Sequence, residues 1–206
     1  MVLKSKSVPL WIVHPVSLAP LLWLVIQWFA NNLGANPIQA TTQYTGRFAV
    51  SWLLLTLACT PLYLLGVNVA RDFRRPLGLY TFMYASLHLS TFVVLDYRLQ
   101  IGFILKNLRF QIFILPGLLG FLIFLALALT SNKWSIKKLK TRWKTLHRFI
   151  YLAGVSVLVH AWWAKKYDRR LILVFAIIFI TLMVFRIPAL QKWLREKKKQ
   201  RRAARL

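Results

Sequence analysis

The sequence predicts an all-α membrane protein: a polytopic bundle of six transmembrane helices with its N- and C-termini in the cytoplasm. Of the 206 residues, 58% are hydrophobic and only 16% are charged. The apolar residues fall in runs of about twenty, the length that a helix needs to cross a bilayer. The charged residues lie between these runs and at the C-terminal end. This pattern excludes a soluble globular enzyme.

Six apolar stretches are long enough to span a bilayer. They run over residues 8–30, 47–66, 77–96, 110–130, 146–164 and 170–189. The second stretch contains Thr60-Pro61, which predicts a kink whose freed carbonyl the threonine hydroxyl can bond. No break between the stretches is long enough to hold a second domain. We therefore expect one six-span domain over residues 1–190 and a basic cytoplasmic tail over residues 191–206.

The basic residues predict the sidedness of the bundle. Lysine and arginine total 29 against 4 aspartate and glutamate residues, a net charge of +25. Counted over alternate breaks, nineteen basic residues fall on one side and eight on the other. Cytoplasmic loops carry the excess of Lys and Arg, so both termini are expected in the cytoplasm. Charges in these positions indicate contact with anionic lipid head groups rather than with nucleic acid.

Few side chains are available for chemistry. The one cysteine, Cys59, cannot form a disulfide framework or a cysteine-based metal cluster. Four acidic residues in the whole chain argue against carboxylate-pair hydrolysis and carboxylate di-metal sites. The remaining candidates are four histidines, the arginines and many aromatic residues.

Three histidines fall in the third and fifth apolar stretches: His88, His147 and His160. An ionisable side chain in hydrocarbon is costly, so it indicates a function. A neutral imidazole is stable there when one ring nitrogen binds a metal and the other donates to a carbonyl. In a helix bundle, haem held between facing helices is the usual cofactor that meets this need.

Depth in the bilayer pairs two of these histidines. With a rise of about 1.5 Å per residue, His88 lies about 18 Å and His160 about 21 Å from the cytoplasmic start of its span. The matched depth predicts a bis-histidine haem in the periplasmic half of the bundle. The alternative for each histidine is a hydrogen bond to a neighbouring helix. His14, close to an interface and followed by Pro15, is expected to have such a structural role.

His147 lies only about 2 Å into its span, so it cannot share that haem. It could hold a second haem or make a structural hydrogen bond, and the sequence leaves both open. An ideal helix rotates about 140° over the thirteen residues to His160, although Gly154 could permit a bend. At the same face of the membrane, Arg74 and Arg75 suit a haem propionate or another anion.

Five motifs follow one another in an order that is similar to the MsrQ (also called YedZ) family. They are Arg74-Arg75-Pro76-Leu77-Gly78-Leu79-Tyr80, Leu87-His88, Leu129-Thr130-Ser131, the block RWKTLHRFIYL at 142–152 and the block HAWWAK at 160–165. This family comprises haem-binding membrane subunits of bacterial MsrPQ methionine sulfoxide reductase systems, in the ferric-reductase-like transmembrane group. The resemblance extends from about Pro9 to Arg186, and the fifth-span block is its most specific part.

The resemblance implies a six-span b-type cytochrome of the bacterial inner membrane, with one or two haems b and FMN. His88, His147 and His160 match the family's haem-ligand positions, and Arg74 and Arg75 then suit a propionate or a flavin phosphate. Electrons would come from the quinone pool or a cytoplasmic flavin reductase. They would pass to MsrP, a periplasmic molybdopterin enzyme that reduces methionine sulfoxide in proteins. The chain would be the electron-transfer subunit of this heterodimer, not its catalytic subunit.

Two other functions fit parts of the sequence. A stand-alone ferric or quinone reductase of the same group would use the same histidines, and a fused cytoplasmic NAD(P)H/FAD domain would favour it. A non-redox membrane scaffold or transporter is the second alternative. No Asp, Glu, Lys or Arg lies near the centre of any predicted span, which argues against ion-coupled transport.

Overall fold

The computed structural model describes residues 10–107, 111–165 and 168–203, and within these ranges all regular secondary structure is helical. The all-α prediction is thereby confirmed. The helices are α1 (Val13–Phe29), α2 (Pro37–Leu65), α3 (Ala70–Ser90), α4 (Ile101–Asn107), α5 (Ile114–Leu129), α6 (Lys133–Leu139), α7 (Thr141–His147), α8 (Ile150–Ala164), α9 (Arg170–Val184) and α10 (Pro188–Ala203). A short 3-10 turn precedes α1, and a π-helical segment, Thr91–Asp96, extends α3.

Helix α2 begins at Pro37, ten residues before the apolar stretch that predicted it. The Asn36 side chain caps the helix by accepting a hydrogen bond from the Gln39 N–H at 3.0 Å, and proline is well suited to the first helical position. In the polar first turns, the Thr41 and Thr45 hydroxyls donate to helix carbonyls one turn earlier. These internal bonds satisfy the hydroxyls, so the polar residues before the apolar stretch can belong to the same helix.

Helix α3 likewise begins before its predicted span, at Ala70. Arg74 and Arg75 therefore lie on the first turns of a helix instead of in a loop. Asp72 in the first turn offsets the positive end of the helix dipole, which favours this early start.

Within the described part of the chain, two helices are long and apolar enough to cross a membrane, α2 and α3 with its extension. The number rises to four if each of two bent helix pairs, α5 with α6 and α9 with α10, forms one span. Helix α1 is a shorter apolar helix of 17 residues. Each of the six predicted stretches overlaps one of α1, α2, α3, α5, α8 and α9, while the count of six spans and the sidedness of the termini stay predictions.

The bundle packs as two helix pairs, α2 with α3 and α5 with α8, and α9 closes one side. Its main core joins Leu53 of α2, Phe124 of α5, Ala153 of α8 and Phe179 of α9. A second core places Tyr84 of α3 in contact with α1 and α2, and the buried Tyr84 hydroxyl donates to a backbone carbonyl of α1. Many large apolar side chains remain exposed on the outer surface, as expected of a protein that is surrounded by lipid.

The fifth predicted span is divided into two helices. Helix α7 ends at His147, and α8 starts at Ile150. His147 and His160 therefore belong to different helices. The rotation of about 140° expected for a single ideal helix does not describe their relative orientation. Gly154 does not produce this break. It gives room to the Phe179 ring of α9, because a Cβ at this position would overlap that ring.

An arginine compensates for the proline inside α2. Pro61 has no N–H, so the Leu57 carbonyl loses its helical partner. The Arg186 Nη2 donates to this carbonyl at 2.8 Å, and its Nη1 donates to the Tyr151 hydroxyl at 2.8 Å. We expected the Thr60 hydroxyl to bond the freed carbonyl. The structure shows that Arg186 bonds it instead. Arg186, just after α9, joins α2 and α8 to the end of that helix.

We predict that Arg186→Ala lowers the free energy of unfolding by about 2–4 kcal/mol, because two hydrogen bonds to a charged group are lost. Thermal unfolding in detergent measures the loss, with Arg71→Ala at an exposed position of α3 as the control. Pro61→Ala supplies an N–H to the Leu57 carbonyl, so Arg186→Ala should cost less in that background. An equal cost in both backgrounds would contradict the link between Arg186 and Pro61.

Candidate functional site

His88 lies on α3 with its ring against α2. Its Nδ1 is 2.8 Å from the Thr42 carbonyl oxygen of α2. The ring approaches α2 at Gly46, where an added Cβ would lie 3.0 Å from the same Nδ1. The glycine gives the imidazole room, and the carbonyl fixes the orientation of its ring. A carbonyl partner makes Nδ1 the protonated nitrogen, so Nε2 is left with its lone pair.

His160 lies on α8, and its ring is held against α5 in the same way. Its Nδ1 is 2.7 Å from the Phe113 carbonyl oxygen at the start of α5. A Cβ at Gly117 would lie 2.6 Å from this nitrogen, closer than real Cβ atoms approach. This second imidazole also keeps Nε2 available. Two helix pairs therefore each supply one imidazole, one backbone carbonyl and one glycine.

The structure brings the His88 and His160 rings together, with 6.0 Å between their centroids and 80° between their planes. A metal-to-imidazole bond is about 2 Å long. Two rings on opposite sides of one metal therefore have centroids roughly 6 Å apart. The observed separation agrees with that value. The angle between the planes is compatible with ligation, because each ring can turn about its own metal–nitrogen bond.

The donor set decides which kind of metal centre fits this pair. Among the described residues, no group of three or more His, Cys, Asp or Glu side chains could hold a metal ion. A bare metal ion usually takes at least four ligands in a protein. Two imidazoles alone therefore fit a metal that brings its other ligands with it. Haem does so, because the porphyrin supplies the equatorial nitrogens and leaves two axial positions.

One aromatic ring lies beside the pair, and another aromatic contact joins α3 to α5, the helices that carry His88 and Gly117. The Phe113 ring lies 5.9 Å from the His160 ring. Phe82 of α3 and Phe121 of α5 stack at 5.9 Å. Both histidine side chains are half-buried. A flat apolar group between these helices would therefore find aromatic packing partners, and the residues present fit haem.

The structure does not place His147 with this pair. Its ring stacks on Trp143 of the same short helix, with centroids 3.9 Å apart. Its Nε2 is 3.1 Å from the Thr130 hydroxyl at the end of α5. The polar partner is therefore on Nε2, whereas in His88 and His160 it is on Nδ1. That hydroxyl also lies 2.7 Å from the Ala126 carbonyl, to which it can donate.

Arg74 and Arg75 are both exposed at the start of α3 but have different surroundings. The Arg75 Nε donates to the Ser131 carbonyl at 2.9 Å and so joins α3 to the turn after α5. Arg74 is close enough to act electrostatically on His147 and on Arg186. Arg74 therefore acts on His147 through its charge. Arg75 instead bonds a backbone carbonyl.

His14 hydrogen-bonds a neighbouring helix, the structural role that its sequence context suggested. Its Nδ1 is 2.8 Å from the Tyr80 hydroxyl of α3. The ring lies 5.9 Å from the Tyr80 ring in an edge-on arrangement. These contacts join α1 to α3 and give no reason to include His14 in the metal site.

Sequence reasoning missed four parts of this site. Gly46 and Gly117 resemble the other glycines in sequence, and only the tertiary contacts show that they face imidazoles. The carbonyls of Thr42 and Phe113 are backbone groups, so side-chain chemistry gives no sign of them. The one usable signal was general: a ligating histidine needs a carbonyl or carboxylate partner on its other nitrogen.

Comparisons with known proteins identify the family to which the chain belongs. Residues 45–158 match the family described as ferric reductase like transmembrane component. Proteins named protein-methionine-sulfoxide reductase heme-binding subunit MsrQ from Brucella ovis, Brucella canis and Brucella suis are each 34% identical over 190 residues. The alignments cover 92% of this chain and 85% of each relative. The chain therefore belongs to the MsrQ family, within the ferric-reductase-like transmembrane group.

Proposed function

We propose that this chain is a transmembrane b-type cytochrome that carries electrons across the bacterial inner membrane to a methionine sulfoxide reductase. The observation that carries the proposal is the His88–His160 pair. The centroid separation of 6.0 Å is the spacing that two axial ligands of one metal require. The ring orientation set by two backbone carbonyls leaves the correct nitrogen for ligation on both residues.

His88 and His160 would hold the outer haem through their Nε2 atoms. Haem, when bound, supplies a metal that takes up and releases single electrons. The protein residues orient the two imidazoles, and their carbonyl partners raise the basicity of the ligating nitrogens. Gly46 and Gly117 let the rings lie close to the helices that support them. The aromatic surroundings limit the access of water and so influence the redox potential.

His147 would serve an inner haem near the cytoplasmic face, with Arg74 and Arg75 binding a propionate or a flavin phosphate. Arg74 supports this, because its positive charge already acts on His147. Ligation through Nε2 requires the Thr130 hydroxyl to release this nitrogen. The hydroxyl keeps helix carbonyls as alternative partners when it does so. FMN would be the second cofactor, and the family resemblance supports it.

The direction of transfer follows from the proposed topology. Six spans over residues 1–190 with cytoplasmic termini place the His147 end inside and the His88–His160 pair towards the periplasm. The quinone pool or a cytoplasmic flavin reductase would supply electrons. The acceptor would be a periplasmic molybdopterin enzyme of the MsrP type, bound to this chain as a heterodimer. The names of the relatives support such a reductase system. The chain itself performs no chemistry on methionine sulfoxide.

Substitution of the paired histidines tests the outer haem. We expect His88→Ala and His160→Ala each to remove it, since either change deletes an axial ligand. His14→Ala is the matched control and should leave haem content unchanged, because the His14 ring bonds Tyr80 and does not belong to the His88–His160 pair. The measurement is haem per chain with the reduced-minus-oxidised spectrum of protein purified in detergent. A wild-type protein without b-type bands would end the proposal.

His147→Ala tests the inner site separately. We expect it to remove at most one haem per chain and to leave the spectrum of the His88–His160 haem intact, because the two sites share no ligand. Haem quantification on wild type and variant, measured in parallel, gives the answer. If wild type and His147→Ala carry the same single haem, His147 has only the structural role that its bond to Thr130 gives it.

The glycine contact gives a further test that keeps every ligand. In Gly117→Ala the new Cβ would overlap the His160 ring, so the ring must move off its carbonyl partner. We expect haem content to fall towards the level of His160→Ala. Gly102→Ala is the control, because nothing lies within 4 Å of a Cβ at that position. Gly46→Ala, with a contact of 3.0 Å, should have a smaller effect. Equal haem content in all three variants would show that the glycines do not position the imidazoles.

A further inference from the structure

The C-terminal helix α10 is attached to the bundle at an angle. It bends by 69° from α9 at a short break. Leu194 is 8% exposed and so is buried in the protein. The Lys198 ammonium donates to the Tyr63 carbonyl near the end of α2 and lies over the Tyr63 ring. Two anchoring residues therefore hold α10 across the end of the bundle, where a helix that follows a membrane span meets the head groups.

A groove of about 350 Å³ runs along this helix. It is lined by Pro188, Gln191, Lys192, Arg195 and Glu196. Its polar groups are two cations, one amide and one carboxylate. The Arg195 Nη2 donates to the Gln191 side-chain oxygen at 3.3 Å, and both residues line the groove. Cations suit a phosphate, and a carboxylate and an amide oxygen can accept hydrogen bonds from hydroxyls.

An apolar strip runs along α9 and into the turn that precedes the residues of the groove. Its exposed side chains recur at spacings of three and four, which places them on one face of a helix. On α9 they are Ile177, Ile180 and Val184, with exposures of 63%, 61% and 46%, and Ile187, which is 50% exposed, follows in the turn after the helix. Pro188, the next residue, lines the groove. An amphiphile can therefore lay a hydrocarbon chain along the strip with its head group beside Pro188.

The flank of α10 carries an interface marker. Trp193 is half exposed, and the Lys197 ammonium lies 4.2 Å from the centroid of its ring. Tryptophan is enriched at the level of the lipid head groups. Together, the tryptophan, the apolar strip and the cationic groove favour a lipid over an acidic protein as the occupant.

We propose that the α9–α10 junction is a binding site for an anionic phospholipid whose head group carries a hydroxyl, such as phosphatidylglycerol. Lys192 and Arg195 bind the phosphate. Glu196 and Gln191 accept hydrogen bonds from the head-group hydroxyls, and an acyl chain lies along the α9 strip. The carboxylate makes this site selective, because it repels a bare phosphate and attracts a hydroxyl. The proposal requires no haem, so its outcome is independent of the redox function.

The experiment measures individual lipid binding to the full protein in detergent by native mass spectrometry. The probes are phosphatidylglycerol, phosphatidic acid and phosphatidylcholine with the same acyl chains. We expect wild type to prefer phosphatidylglycerol. In Lys192→Gln/Arg195→Gln, the affinity for phosphatidylglycerol should fall roughly tenfold or more. Lys133→Gln/Lys137→Gln on α6 removes the same charge from exposed positions and should change it little.

Glu196→Ala distinguishes a specific lipid site from general electrostatic attraction between the basic helix and anionic lipids. Simple electrostatic attraction predicts that removing an acid strengthens the binding of every anionic lipid. The proposed site predicts instead that phosphatidylglycerol loses its advantage over phosphatidic acid. Equal effects of the two double variants, or stronger phosphatidylglycerol binding by Glu196→Ala, would overturn the proposal. So would a wild-type protein that does not distinguish the three lipids, because the groove would then serve another partner.

Discussion

A hydrogen bond from an imidazole to a backbone carbonyl is the constraint on which the rest of this site depends. It occurs twice, at His88 with Thr42 and at His160 with Phe113. Each bond selects the tautomer, fixes the ring and directs the free nitrogen away from the supporting helix. Each carbonyl lies four residues before the glycine that faces the ring, Thr42 before Gly46 and Phe113 before Gly117, so the missing Cβ gives the imidazole room to reach the carbonyl. Without these bonds, neither imidazole would have a fixed orientation.

Backbone carbonyls also explain the other end of the bundle. Pro61 frees the Leu57 carbonyl within α2, and Arg186 bonds it while contacting Tyr151 of α8. At the same end, Arg75 bonds the Ser131 carbonyl. In an apolar environment an unpaired carbonyl is costly, so a cation that bonds one is held in place. These arginines join helices to one another at this end of the bundle.

Several features followed from sequence because they depend on local chemistry. Apolar runs predicted helices, and the rise per residue predicted a common depth for His88 and His160, whose rings are close together in the structure. Predicted boundaries were less accurate where polar residues extend a helix. The start of α2 depends on Asn36 capping and on threonine hydroxyls that bond within the helix, and hydropathy does not register either effect. The separation of α7 from α8 was missed for a similar reason, since the break lies in a continuous apolar and basic sequence.

The sequence by itself determined an all-helical membrane protein, the family to which it belongs and the histidines that deserve testing. These depend on residue type and spacing, which survive any arrangement of the helices. Only the tertiary structure decided that the rings of residues 88 and 160 meet, while the ring of residue 147 turns to Thr130. It also decided which glycines face imidazoles and which arginine bonds the carbonyl freed by Pro61. The reason is physical: these contacts join residues far apart in the chain, and their partners are mostly backbone atoms that every residue shares.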